Sequence, residues 1–167
     1  MNSLCDPVII KALYEASEAG VKIDLIVRGI CCLKTGVKGV SENITVRSLV
    51  GNFLEHSRIF YFYNDGFEDV YMGSADWMPR NLDKRVEITF PVEDEELKAE
   101  VIDIIRAQLA DTLKAHVMQP DGSYEKLDLR GREKLEAQQY FCDQAVESMK
   151  SEKKAVSRVF IPRTKED

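Results

Sequence analysis

Histidine is scarce in this chain: 167 residues hold two, alongside one tryptophan and five prolines. Long apolar runs are missing, so no segment reads as a membrane span. The opening MNSLCDPVII lacks a basic stretch leading into an apolar one, so no secretory signal peptide is visible. Four cysteines (Cys5, Cys31, Cys32 and Cys142) include no Cys-x-x-Cys pair. Adjacent Cys31 and Cys32 are poorly placed to share a disulfide or one tetrahedral zinc. The reading is free, mostly buried thiols in a reducing cytoplasm. Internal repeats and low-complexity segments are absent too. One domain of ordinary size remains, with a globular composition of 44% apolar and 31% charged residues.

A strongly basic face is also lacking. The net charge is −6, and the acids concentrate toward the end. Residues 22–85 carry nine Lys/Arg against eight Asp/Glu, whereas residues 86–167 carry thirteen against eighteen. That balance excludes a broad nucleic-acid surface and leaves room for a local anion site in the middle of the chain.

What is present alternates between helix and strand. Asp6-Pro7 predicts a helix start, since Asp caps free N–H groups and Pro suits the first helical position. Val8, Ile9, Leu13 and Ala16 give its apolar stripe, and Gly20 ends it. KIDLIVRG reads as a buried strand with Arg28 at its C-terminal end, where ligands of open α/β sheets bind. A glycine-bearing loop separates it from ITVRSLV. FLEHSRIFYFY and DVYMGSA read as strands joined across Asn64-Asp65-Gly66. RVEITFPV alternates Val86, Ile88 and Phe90 against Glu87 and Thr89. A helix follows from Asp94 to Leu109, then a short strand at TLKAHVMQ. A surface helix is expected over 132–150, and a charged, loosely ordered end over 151–167. The fold class is α/β (α+β), a mixed sheet of five or more strands flanked by helices. Only MNSL precedes the first helix, where a β-α-β unit would have a strand; this suggests a piece of a longer chain.

The scarce histidine marks the candidate site. His56 and Arg58 are two positions apart, hence on one face of an extended segment. A turn of small residues, Gly73-Ser74-Ala75-Asp76, ends the partner strand, and Asn81 and Arg85 follow. Cations beside exposed backbone N–H groups and a histidine suit a phosphoryl group. Arginine forks hold its oxygens and imidazole moves a proton. Glu87 is a further candidate, as a carboxylate that orients His56. His116, the tyrosines at 61 and 63, Phe62 and Trp77 are read as packing, and Lys34 and Lys38 as a solvated loop.

His56-Ser57-Arg58 with Gly73-Ser74-Ala75-Asp76 resembles one half of the phospholipase D superfamily site, His-x-Lys followed by Gly-Ser-x-Asn. Arg58 stands for the Lys and Asp76 for the Asn, and the superfamily's Asp falls at Tyr63. A narrower resemblance covers about residues 2–125. DLIVRGICCL, SENI, FLEHSRI and GSADWMPRNLDKRVE are similar to the C-terminal, phospholipase D-like domain of bacterial polyphosphate kinases. The resemblance implies a single C-terminal catalytic domain over 1–167 of an enzyme with further domains upstream. It implies reversible transfer of the ATP terminal phosphate to polyphosphate in the cytoplasm. The transfer would use a phosphohistidine on the preceding domain, magnesium not held by this part, and a homo-oligomer. Carried over by position, Arg28 and His56 are the nucleotide-phosphate contacts. The resemblance implies that His56 is the catalytic member facing the phosphorylated histidine; Arg58, Gly73, Ser74 and Asp76 are further phosphate-binding candidates from the residue pattern itself. The alternatives are a phospholipase D-type phosphodiesterase completed by dimerisation, and a non-catalytic phosphate-binding or assembly module.

Overall fold

Asp6 caps the first helix as its position requires: its Oδ1 accepts from the N–H groups of Val8 and Ile9 at 3.0 and 2.9 Å. That helix, α1 (Pro7–Glu18), leads into β1 (Ile23–Ile26), which pairs in parallel with β2 (Ile44–Leu49). Two strands near the far end complete a four-stranded mixed sheet, β6 (Ala115–Met118) and β7 (Tyr124–Lys126), in the order β1-β2-β6-β7. A second, antiparallel sheet holds β3 (Ile59–Phe62), β4 (Asp69–Gly73) and β5 (Thr89–Pro91). The helices α2 (Pro79–Lys84), α3 (Glu95–Ala110) and α4 (Ala137–Glu152) complete the set. The computed structural model describes residues 1–152, with side chains to residue 150. The expectation of loose order at 151–167 otherwise lies outside the described residues.

Each sheet has its own core. Leu25, Val27, Ile44, Val46, Leu33 and Met118 pack under the first, with α1 contributing Ile9, Ile10 and Leu13. Val70 of β4 packs on Val101 and Ile102 of α3 under the second. The α/β class with a mixed, helix-flanked sheet is therefore as expected, but its strands divide into sheets of four and three. The turn at 64–66 is as read: Asn64, Asp65 and Gly66 all have positive φ, which favours these residue types.

Two other expectations need correction. The alternation over Val86–Phe90 does not mark an apolar face. Val86 is 100% exposed and Ile88 is exposed too, since β5 begins only at Thr89, opposite Gly73, and Phe90 is exposed on β5 itself. The last helix starts at residue 137, not 132. Residues 133–135 lie outside the helix and are tied to Thr112, whose Oγ1 donates to Glu133 O at 2.9 Å and accepts from Leu135 N at 3.0 Å. Asp111 then caps α4 by accepting from Ala137 N at 2.8 Å.

The two sheets meet at the stretch before α1, where sequence alone offered no strand. Leu4 makes single parallel bridges to Cys31 on one side and Trp77 on the other, and its side chain is 0% exposed. Beside it, Asp76 gathers four donors. Its Oδ1 accepts from Asn2 N at 2.7 Å, Ser3 N at 3.2 Å and Arg58 Nε at 3.2 Å, and its Oδ2 from Arg58 Nη2 at 3.0 Å. One carboxylate thus ties the N-terminal stretch to the segment leading into β3.

Burial by itself raises the Asp76 carboxyl pKa, but the Arg58 hydrogen bonds, the Asn2 and Ser3 N–H groups and the Arg58 charge outweigh it and hold the group below its ordinary range. A depressed folded-state pKa gives stability that is complete above the unfolded value, about 3.9. It is lost as pH falls through the folded value. Asp76→Ala, which strands a buried arginine, is expected to cost about 3–5 kcal/mol at neutral pH. Asp76→Asn keeps an acceptor for Asn2 and Ser3, so it should recover part of that loss while stability below about pH 4 falls less steeply. Chemical denaturation between pH 2 and 7 checks this. An acid limb in Asp76→Asn as steep as in the parent would overturn it.

Candidate active site

The turn after β4 and the segment before β3 wall an open cleft of about 370 Å³. His56, Arg58, Ser74 and Asp76 line one part of it, with Asn2 and Ser3 from the N-terminal stretch. Arg80, Asn81 and Arg85, from the two ends of α2, line the other. Asp76 is the only carboxylate in this lining, so the wall is cationic. Six residues make α2, with Pro79 first. Asn81 anchors it to the turn, its Oδ1 accepting from Asp76 N at 3.0 Å.

His56 lies just before β3 rather than on it, exposed at the cleft mouth. Arg58 holds it. Arg58 Nη1 is 3.2 Å from His56 Nδ1, and Nη2 is 3.2 Å from His56 Nε2. The two ring nitrogens point away from each other, so one guanidinium cannot donate along both. Both terminal nitrogens of Arg58 thus lie within contact distance of the imidazole edge that carries its two nitrogens. Arg58 Nη1 also donates to His56 O at 3.1 Å. With Nε and Nη2 on Asp76, the Arg58 guanidinium is committed to Asp76 and His56, and its side chain is 11% exposed. The chain of contacts Asp76–Arg58–His56 therefore steadies the imidazole at the cleft.

Arg28 follows β1, and its Nε donates to Asn2 Oδ1 at 2.8 Å. Ser48 Oγ donates to its carbonyl at 2.8 Å. Arg28 is outside the cleft lining and reaches it through Asn2, the residue whose N–H holds Asp76. Gly73 is packed: a Cβ there would meet Ile88 O at 3.1 Å and Thr89 Oγ1 at 3.2 Å. Ser74 Oγ donates to Glu87 Oε2 and accepts from Ile88 N at 3.0 Å. Glu87 contacts Ser74 and Arg85; no contact to His56 occurs among the described residues.

The other residues weighed in the sequence fall outside this cleft. Trp77 stacks on Phe60 at 5.1 Å between ring centres. His116 sits on β6 with Nδ1 3.0 Å from Lys114 O. Burial pushes the Cys5 and Cys31 thiols up, so neither is poised as a thiolate. Asn2 and Ser3 carried no signal in the sequence, because their part is played by backbone N–H groups. Arg80 was missed although it adjoins Asn81, which the sequence did single out.

The donor set does not suit a resident magnesium. That ion takes oxygen ligands, and the one lining carboxylate has both oxygens on Arg58. Among the described residues no group of three or more His, Cys, Asp or Glu is placed to hold a metal. No helix there is long and apolar enough to cross a membrane.

Residues 1–138 match the family model of polyphosphate kinase C-terminal domain 2. The chain is 52% identical over 152 residues to a polyphosphate kinase of Lactiplantibacillus plantarum, an overlap of 91% of this chain and 21% of the relative. It is 62% identical over 124 residues to one of Synechocystis sp., covering 74% of this chain and 17% of that protein. The crystal structure of polyphosphate kinase from Porphyromonas gingivalis superposes with a TM-score of 0.85 at 44% identity, over 90% of this chain and 23% of that one. The chain thus spans about a fifth of the length of these relatives. With most of its length under the family model, the chain belongs to the polyphosphate kinase family, as its C-terminal domain 2.

Proposed function

We propose that this chain forms the nucleotide side of a polyphosphate kinase active site, acting in the cytoplasm with the remaining domains of the same enzyme in a homo-oligomer. The observation that carries the proposal is the cationic cleft in which Asp76 and Arg58 immobilise His56. ATP or ADP and the end of a polyphosphate chain are polyanions, and this wall offers them arginine forks and a fixed imidazole.

In this reading the bond between the γ-phosphorus of ATP and its bridging oxygen breaks. A phosphorus–nitrogen bond forms to a histidine of the preceding domain, which later passes the phosphoryl group to polyphosphate. His56 supplies a proton to the departing oxygen of the nucleotide and takes it back in the reverse direction. Histidine suits this because it exchanges protons near neutral pH. Arg80 and Arg85 neutralise charge on the phosphates, and Arg58 holds His56 in place. Arg28 contacts phosphate from the end of β1, with Asn2 steadying its guanidinium. Ser74, Gly73 and Asp76 shape the turn against which the phosphates lie. Magnesium, which the resemblance implies, would be held by groups other than the residues of this cleft and would supply charge neutralisation at the phosphates.

The 167-residue chain alone is expected to make no polyphosphate from ATP, since the phosphorylated histidine is elsewhere. Robust synthesis by it would overturn the division of labour. Turnover of a phosphodiester substrate by its dimer would favour a phospholipase D-type enzyme, and phosphate binding without a part in turnover would favour an assembly module. In the full-length enzyme, His56→Ala is expected to slow synthesis by roughly 10²–10⁴-fold, the range for a lost general acid–base. Its thermal melting should be unchanged, because the residue is exposed at the cleft mouth. Arg28→Ala should also slow the reaction, and Arg28→Lys should recover only part, as a point charge does not replace a planar fork. A near-normal rate in well-folded His56→Ala removes that residue from the chemistry.

A further inference from the structure

Glu87 breaks the pattern of its own segment. Its side chain is 12% exposed, whereas its neighbour Val86 is 100% exposed. A carboxylate taken from water while a valine is left in it is a local cost that packing does not explain. Such conflicts mark functional positions. Two partners surround the buried group. Ser74 Oγ donates to Oε2, and Arg85 Nε lies 3.2 Å from Oε1. That second oxygen receives no well-directed hydrogen bond, so its link to Arg85 is mainly electrostatic.

The consequence falls on Arg85. Its side chain is 51% exposed and it lines the cleft. Glu87 lies only at its Nε edge, and no hydrogen bond to its guanidinium occurs among the described residues. Both terminal nitrogens are therefore left to a ligand, whereas those of Arg58 are committed to Asp76 and His56. A long arginine on the surface loses considerable rotamer freedom when it binds; a buried carboxylate behind it removes part of that cost beforehand. Ser74 serves the same end. Its single proton is given to Glu87 and its oxygen takes the Ile88 N–H, so the hydroxyl steadies the carboxylate and is not offered to phosphate.

We infer that Glu87 is a positioning residue, which with Ser74 holds the Arg85 fork against the phosphates of a nucleotide or polyphosphate in the cleft. The inference rests on the reading of the cleft as the kinase site and deepens it. Double-mutant kinetics in the full-length enzyme test it, with ATP as the varied substrate. Arg85→Ala and Glu87→Ala are each expected to raise KM roughly tenfold, with a smaller effect on kcat. The double variant should be no worse than Arg85→Ala alone, because Glu87 acts only through that arginine. Glu87→Gln keeps the shape and an acceptor oxygen and should lie between the parent and Glu87→Ala. It also serves where Glu87→Ala melts early. Multiplying penalties in the double variant, or a parental KM in folded Glu87→Ala, would overturn the inference. If His56→Ala abolishes synthesis while Glu87→Ala leaves KM alone, only this inference fails. If Arg85→Ala and His56→Ala both act as the parent does, the reading of the cleft fails with it.

Discussion

The buried contact between Asp76 and Arg58 is the constraint on which the site depends. Two sheets with separate cores share little apolar packing at their junction. Single-residue bridges at Leu4 are too short a ladder to fix their relation. Asp76 adds four directed hydrogen bonds at that place, reaching the N-terminal stretch and the segment before β3 together. A buried ion pair often contributes little net stability over an apolar substitute, but it specifies geometry. Here the geometry specified is that of an arginine whose far side carries the histidine.

This arrangement gives the arginine at 58 and the aspartate at 76 a joint physical rationale. A lysine ammonium is a point donor on a flexible stem. It can reach a phosphate, but it cannot grip a carboxylate through one edge and still present two further nitrogens to an imidazole. Arginine does both. Once it is used so, its partner in the turn gains from being charged. The two residues act as one unit, in which Arg58 joins Asp76 to His56.

Much of this was legible in the sequence, and the failures share a cause. Caps, turns and long amphipathic helices were readable because their signals are local: Asp6 before Pro7, Asn64-Asp65-Gly66, the stripe of α3. The pairing of His56 with Arg58 was legible for the same reason, two positions on one extended segment. What was not legible depends on partners far along the chain. Asp111 and Thr112 delay the last helix from a distance of more than twenty residues. Asn2 and Ser3 serve the site through backbone groups that no residue type advertises. Glu87 was misplaced because period-two alternation assumes a paired strand, and its segment is unpaired until Thr89.

The charge pattern of the cleft also bears on how it would work. Arg58 is neutralised by Asp76 at 3.0 Å and Arg85 faces Glu87 at 3.2 Å, while Arg80 has no ion-pair partner among the described residues. Unopposed arginines on one wall would bind a polyanion strongly in every state. A catalyst gains nothing from holding substrate, product and transition state equally. A reversible transfer must also let its nucleotide go. Two carboxylates behind two arginines lower the standing attraction while fixing the directions in which the guanidinium groups point. The affinity that remains depends on alignment more than on net charge. Alignment can differ between a bound nucleotide and a phosphoryl group in flight, which is where a difference in binding becomes a rate.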